Sequence, residues 1–181
     1  MCFYMVLETE RLLLRRFKSD DLMDFYEYCK NPNVGPNAGW LPHANIDISK
    51  VILDEFVNDD KIFAIVYKKN NKVIGSVGLH PDRKRNNSRA IMLGYVLSED
   101  YWGRGIMTEA CRETLRYVFM ELDKDMITIY HYEFNNRSRR VIEKLGFTFE
   151  GILRKASVLP SGVHDDYCYS LTKEEWEKNR L

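Results

Sequence analysis

Tyr101-Trp102-Gly103-Arg104-Gly105-Ile106-Met107-Thr108-Glu109-Ala110 is the stretch on which the reading of this chain turns. A strand-like run, residues 90–97, leads into it. Beyond it the apolar positions Ile106, Ala110, Leu115, Val118, Phe119 and Leu122 recur at helical spacing, which predicts a helix over 105–122. The first N–H groups of a helix have no partner inside it, and the aligned peptide dipoles place partial positive charge at that end. Glycines just ahead of such an end let an anion reach the backbone with no Cβ in the way. The turn therefore suits a phosphate or pyrophosphate, with Arg104 at its rim. A tight strand-to-helix turn that holds nothing explains the two glycines as well.

Two nucleotide motifs can be tested on it. A P-loop needs Lys after its second glycine, and Ile106 stands there instead. A dinucleotide fingerprint needs a third glycine where Thr108 stands, and an acidic residue ending the next strand, whereas Asp123 and Asp125 precede it.

Residues 11–17 read as a first strand. Ser19, Asp20 and Asp21 then open a helix carrying Leu22, Phe25, Tyr26 and Cys29, which stops before Asn31-Pro32. Residues 31–43 are so dense in turn formers that no regular helix or strand is expected there, and this loop carries Trp40 and His43. A second helix is expected over 47–57, burying Val51, Ile52, Phe56 and Val57. Strands follow at 62–67, 73–80 and 90–97, the first two joined by Asn70-Asn71 as a hairpin turn. After the long helix come a strand at 126–132 and a helix at 138–145 closed by Gly146. Strands at 147–155 and 167–171 follow, and Thr172 to Glu175 has capping-box spacing for a terminal helix. The sum is a mixed α/β domain, antiparallel strands first and a strand-helix-strand unit later, with residues 1–181 as a single domain.

The 181 residues carry 27 basic and 27 acidic side chains, and zero net charge argues against strong nucleic-acid binding. Cys2, Cys29, Cys111 and Cys168 are far apart with no zinc-like spacing, so no metal site is expected and they read as free thiols in a reducing compartment. No apolar run is long enough for a membrane span, and Glu8, Glu10 and Arg11 interrupt the N-terminal stretch before any signal-peptide core. A soluble, cytoplasmic protein is expected.

Three blocks then carry a resemblance. Residues 101–110 are similar to the pyrophosphate-binding segment of the GNAT superfamily of N-acetyltransferases. Their Trp-Gly-basic-Gly and Thr-Glu-Ala elements resemble the branch of the ribosomal-protein N-terminal acetyltransferases RimJ and RimL. Asn135-Asn136-Arg137-Ser138, followed by Glu143-Lys144-Leu145-Gly146-Phe147, and Glu8-Thr9-Glu10-Arg11-Leu12-Leu13-Leu14-Arg15 resemble two further segments of that branch, in the same order.

The resemblance implies a mixed sheet of about seven strands with splayed central strands and four main helices. A cleft would open at the carboxyl ends of the splayed pair and take acetyl-CoA. Backbone groups of Tyr95, Val96 and Leu97 would bond the pantetheine arm of coenzyme A. Trp102, Gly103, Arg104, Gly105, Ile106, Met107 and Thr108 would hold its pyrophosphate, and Asn135 would fix the arm's amides. The other partner would be an amine acceptor, a protein N-terminus or a small molecule, with Trp40 and His43 on its side of the cleft. A second copy of the chain is left open as a partner.

Acetyl transfer to an amine needs a neutral nucleophile, a polarised carbonyl and a proton for the departing thiolate. A backbone N–H at Val96 or Leu97 would polarise the carbonyl. Many members carry a Tyr seven residues after the Asn, and Ile142 stands there; the RimJ/RimL branch uses the Ser three residues on, which is Ser138. Ser138 equally suits a helix N-cap, and the two roles are compatible. Relatives often carry a Glu two residues before Gly94-Tyr95, and here it is Met92, which cannot take a proton. His80, Glu133, His131, or water reaching one of them, remain as bases. An N-terminal α-amine, with a pKa of about 8, would need little help. A non-catalytic acyl-CoA-binding module is the second reading that Met92 and Ile142 admit.

Overall fold

The computed structural model describes residues 5–179, so Cys2 lies outside the described residues. The described residues form eight strands and six α-helices. The strand beyond the expected seven is β1 (Val6–Glu8), too short to show a period in sequence but paired antiparallel with β2 (Leu12–Arg16). The four longer helices are α1 (Leu22–Cys29), α3 (Ile46–Asn58), α4 (Ile106–Met120) and α5 (Asn136–Lys144). One of the shorter two, α2 (Gly35–Ala38), corrects the expectation that 31–43 holds no helix. Pro36 is tolerated in a first helical turn, and Gly39 closes it at φ +92°. The other, α6 (Lys173–Lys178), starts from the expected capping box of Thr172 and Glu175.

The chain forms two compact units. The first comprises the described residues up to Gly78 together with Tyr95–Glu113. Here β2 pairs with β3 (Ile62–Tyr67) and β3 with β4 (Lys72–Pro81), all antiparallel, and the end of β5 (Ala90–Leu97) follows β4. The β3–β4 turn includes Asn71 at φ +54°. Phe17, Phe25, Tyr28, Leu53 and Val66 form its core, with the Phe17 and Phe25 rings edge-on at 5.6 Å. On α3 the buried pair is Ser49 and Leu53, one turn apart, while Val51, expected inside, is 61% exposed. Two residues along a helix is a rotation of about 200°, so Val51 faces away from that pair.

The second unit comprises Leu79–Gly94 and the described residues from Thr114 onward. The start of β5 runs parallel to β6 (Met126–Tyr132), with Ala90, Ile91 and Met92 opposite Met126, Ile127 and Thr128. That ladder ends at Met92 and Thr128. Beyond it β6 pairs along its whole length with β8 (Gly162–Thr172), out to Tyr132 opposite Asp166. The outer strand is β7 (Thr148–Leu159), antiparallel to β8. Both closing strands run longer than expected. Register shifts after Phe149 and Leu153, with Lys155 at φ +53°, break the alternation by which a strand is recognised.

Candidate active site

The glycine turn lies wholly within the first unit. At the end of β5, Gly75 packs so tightly that a Cβ there would sit 2.2 Å from the Val96 carbonyl oxygen, and the Ser98 N–H donates to the Ile74 carbonyl at 2.7 Å. A single 3-10 turn (Glu99–Tyr101) follows, and the Trp102 indole N–H folds back to donate to the Leu97 carbonyl at 2.8 Å. Gly103 and Gly105 then take φ of +74° and +72°, values that side chains disfavour. The space where a Cβ of Gly103 would stand is open, as an anion cradle requires. Helix α4 begins at Ile106, and the Glu109 N–H makes an early helical bond, 3.0 Å to the Gly105 carbonyl. Ile106, Met107 and Thr108 are buried, so their side chains anchor the helix while their amides lie in its first turn, where intrahelical acceptors are lacking. The Arg104 guanidinium lies over the Tyr101 ring, 5.5 Å from its centre. The turn thus fits a pyrophosphate in conformation, charge and open space.

Glu109 braces this turn from beneath. Thr9 donates its hydroxyl to Glu109 at 2.6 Å, and Arg11 donates its backbone N–H at 2.9 Å and its Nε at 2.6 Å. Arg11 also donates Nη1 to the Arg104 carbonyl at 3.0 Å. Burial alone would raise the Glu109 pKa, but these donors outweigh it and hold the carboxyl below its ordinary range.

His43 is buried in the same unit. Its Nδ1 is 2.7 Å from the Ser49 hydroxyl, its backbone N–H donates to the Cys29 carbonyl, and burial lowers its pKa. Its ring lies 5.2 Å from that of Trp40, which is half-buried against Gly35.

The remaining candidates belong to the second unit. The N-cap of α5 is Asn135, not Ser138: the Asn135 side chain accepts the Ser138 N–H at 3.1 Å, which places Ser138 inside the first turn, 9% exposed. Sequence put the helix start two residues late because Ser and Asn cap equally well. The His80 ring, on β4, lies beside Gly94 on β5, 3.7 Å from where a Cβ would be. His131 is buried between the Tyr167 and Tyr169 rings, with Nδ1 2.8 Å from the Tyr132 carbonyl, and burial lowers its pKa. Its surroundings are those of a packed structural residue.

Glu133 lies one residue past the end of β6, not on the strand. It accepts from His164 Nδ1 at 2.7 Å, and that bond chiefly holds its carboxyl below the usual range. The other His164 nitrogen, Nε2, is 2.8 Å from the Ser161 hydroxyl. Sequence reasoning missed His164 and Ser161. The Pro160-Ser161-Gly162 turn was the available signal, but only the β6–β8 register brings His164 to Glu133. A second array was also missed. Asp82 accepts from Thr128 and Tyr130, each at 2.9 Å, and from Arg85, which also pairs with Glu150.

Among the described residues no cluster of His, Cys, Asp and Glu could hold a metal ion, and no helix is long and apolar enough to cross a membrane. Cys29, Cys111 and Cys168 are buried free thiols.

A family model described as an acetyltransferase (GNAT) domain matches residues 11–148. The chain is 28% identical over 176 residues to an uncharacterised N-acetyltransferase, p20, of Bacillus licheniformis, covering 94% of this chain and 97% of that one. Among solved structures, a GNAT-family acetyltransferase from Bacillus anthracis superposes with a TM-score of 0.85 at 25% identity, over 94% of this chain and all of the other. The ribosomal-protein-S5-alanine acetyltransferase of Vibrio fischeri does so with a TM-score of 0.77 at 26% identity, over 95% and 98% of the two chains.

Proposed function

The chain belongs to the acetyltransferase (GNAT) family, and we propose that it moves an acetyl group from acetyl-CoA to a primary amine by direct attack in a ternary complex. The observation that carries the proposal is the turn Gly103-Arg104-Gly105 at the start of α4, with two glycines at positive φ and open space at the first. Its amides through Thr108 hold the pyrophosphate, which needs no overall basic excess, and Arg104 adds charge at the rim. Backbone groups of Tyr95, Val96 and Leu97 hold the pantetheine arm, and the Asn135 amide binds the arm's amides. When bound, acetyl-CoA supplies an activated acyl group as a thioester. A backbone N–H at Val96 or Leu97 polarises the carbonyl, and the Ser138 hydroxyl gives its proton to the departing sulfur.

The likeness to an enzyme named for ribosomal protein S5 alanine supports a protein N-terminal α-amine as acceptor, ahead of a small-molecule amine. Trp40 lines the acceptor side, with His43 fixing its ring. On this reading residues 1–181 act as one catalytic domain. The buried thiols agree with a reducing, cytoplasmic setting.

Release of free thiol from acetyl-CoA, followed with peptide N-termini and small amines, tests the proposal. Turnover is expected with at least one N-terminal peptide, and Ser138→Ala is expected to lower kcat about 10- to 100-fold at nearly unchanged KM for acetyl-CoA. Coenzyme A binding without turnover of any amine would overturn it.

A further inference from the structure

The acetyltransferase reading leaves open which group takes the amine's proton, since Met92 stands where relatives often carry a Glu. The carboxyl end of β6 gathers chemistry that this reading does not use. Glu133, His164 and Ser161 form a chain of two short contacts, 2.7 Å from Glu133 Oε1 to His164 Nδ1 and 2.8 Å from His164 Nε2 to the Ser161 hydroxyl. Both Glu133 oxygens are engaged, the second accepting the Asp165 N–H at 3.2 Å. A carboxylate held this way only accepts, so His164 Nδ1 carries the proton and Nε2 presents its lone pair to the Ser161 hydroxyl. This is the order of parts in an activated hydroxyl: an orienting carboxylate, an imidazole in one tautomer, and a hydroxyl whose proton the imidazole can take.

The surroundings suit an amine. The Tyr132 and Phe134 rings stack on each other at 5.6 Å and lie 6.3 and 5.1 Å from the His164 ring; Phe134 is exposed, and the outer face of such a ring attracts ammonium groups. His164 is largely shielded, 15% exposed at its side chain, while Ser161 is exposed and within a ligand's reach. The end of a strand is also where ligands bind in open α/β sheets. Asn135 and Ser138, already assigned to the cofactor, follow Glu133 by two and five residues.

We propose that His164, oriented by Glu133, is the base for the acceptor amine, and that the Ser161 hydroxyl relays the proton. The ammonium gives a proton to Ser161 Oγ as the Ser161 hydroxyl proton passes to His164 Nε2. This leaves a neutral amine to attack and an imidazolium paired with the Glu133 carboxylate. The imidazolium then returns its proton to water, and the second proton, lost by the nitrogen as the amide forms, replaces the one Ser138 gives to the sulfur, so the cycle balances without any other reagent. The charged and titratable groups near the imidazole include Glu133 and Tyr132 at the end of β6, Asp165 and Asp166 on β8, Lys84, which pairs with Asp166, and Arg83, which acts on Tyr132. Glu133 is a positioning residue.

The proposal rests on the acetyltransferase reading, and its test separates the two. Amine acetylation is measured against pH for the wild type, His164→Ala, Glu133→Gln and Ser161→Ala, alongside calorimetric binding of coenzyme A. His164→Ala is expected to lose at least 10-fold in kcat at neutral pH, to lose the lower inflection of the pH profile, and to recover rate when free imidazole is added. Glu133→Gln should fall between it and the wild type, with coenzyme A affinity unchanged in all. Nitrogen-15 spectra should show His164 protonated at Nδ1 in the wild type, and less fully so in Glu133→Gln. A His164→Ala enzyme with the wild-type profile and no imidazole response overturns the proposal and leaves the acetyltransferase reading standing. A wild type that neither binds coenzyme A nor acetylates an amine overturns both.

Discussion

The Glu109 carboxylate binds Arg11 twice, accepting its backbone N–H at 2.9 Å and its Nε at 2.6 Å, and so ties the segment entering β2 to the first turn of α4. Arg11 in turn reaches the Arg104 carbonyl inside the glycine turn. Two blocks almost a hundred residues apart in sequence are thereby one structural device. Glu109→Gln keeps the shape but weakens the charge-assisted bonds. It is expected to cost about 1–2 kcal/mol of stability, read by urea denaturation, and to weaken coenzyme A binding several-fold, read by calorimetry. Unchanged coenzyme A affinity would show that the brace does not reach the turn.

At Gly75, β4 packs directly against the backbone at the end of β5. A methyl group there would stand 2.2 Å from the Val96 carbonyl oxygen and 3.0 Å from the Leu97 Cα, both backbone atoms that cannot swing aside. Gly75→Ala is therefore expected to displace residues 95–97 and lose roughly 1–3 kcal/mol or more. Thermal melts read the loss. Amide chemical shifts of residues 95–98 should move more than those of α6.

Gly103→Ala and Gly105→Ala place a side chain at φ of +74° and +72°. Nothing obstructs a Cβ at Gly103, so its cost is backbone strain alone, about 1–2 kcal/mol. Both variants should melt a few degrees lower and bind coenzyme A at least tenfold more weakly. Equal affinity in wild type and variants would remove the pyrophosphate from this turn.

His43 gives a stability signal with a defined sign. Burial lowers its pKa in the folded chain, so the unfolded chain takes up the proton first as pH falls. Its contribution is complete above the unfolded value of about 6.5 and fades as pH drops through the lower folded value. His131, also depressed chiefly by burial, adds in the same direction. Melting temperature should fall between pH 7 and 5, and less steeply in His43→Asn, although that variant starts lower at pH 7. A parallel slope in the variant would show that His43 does not titrate with unfolding.

The glycine turn, the strands at 62–67, 90–97 and 126–132 and the α4 helix were legible because each rests on local chemistry: a period, a cap, or a turn residue. The α5 start was misplaced by two residues because Asn135 and Ser138 are interchangeable as caps in sequence but not in space. Val51 was placed inside because apolar character alone cannot choose between two sides of a helix carrying apolar residues on both. The pairing of Glu133 with His164 depends on the register between β6 and a strand 30 residues later, and no local pattern encodes a register. Chemistry carried by one segment could be read from the sequence, while chemistry assembled across strands could not.

In the proposed function the turn from Gly103 to Thr108 holds the pyrophosphate of acetyl-CoA. A crystal structure of the protein soaked with coenzyme A tests this. The expected result is pyrophosphate oxygens within hydrogen-bond distance of the backbone N–H groups of residues 103–108, with the Arg104 guanidinium beside them. Coenzyme A bound with its pyrophosphate away from this turn, or failing to bind at millimolar concentration, would contradict it.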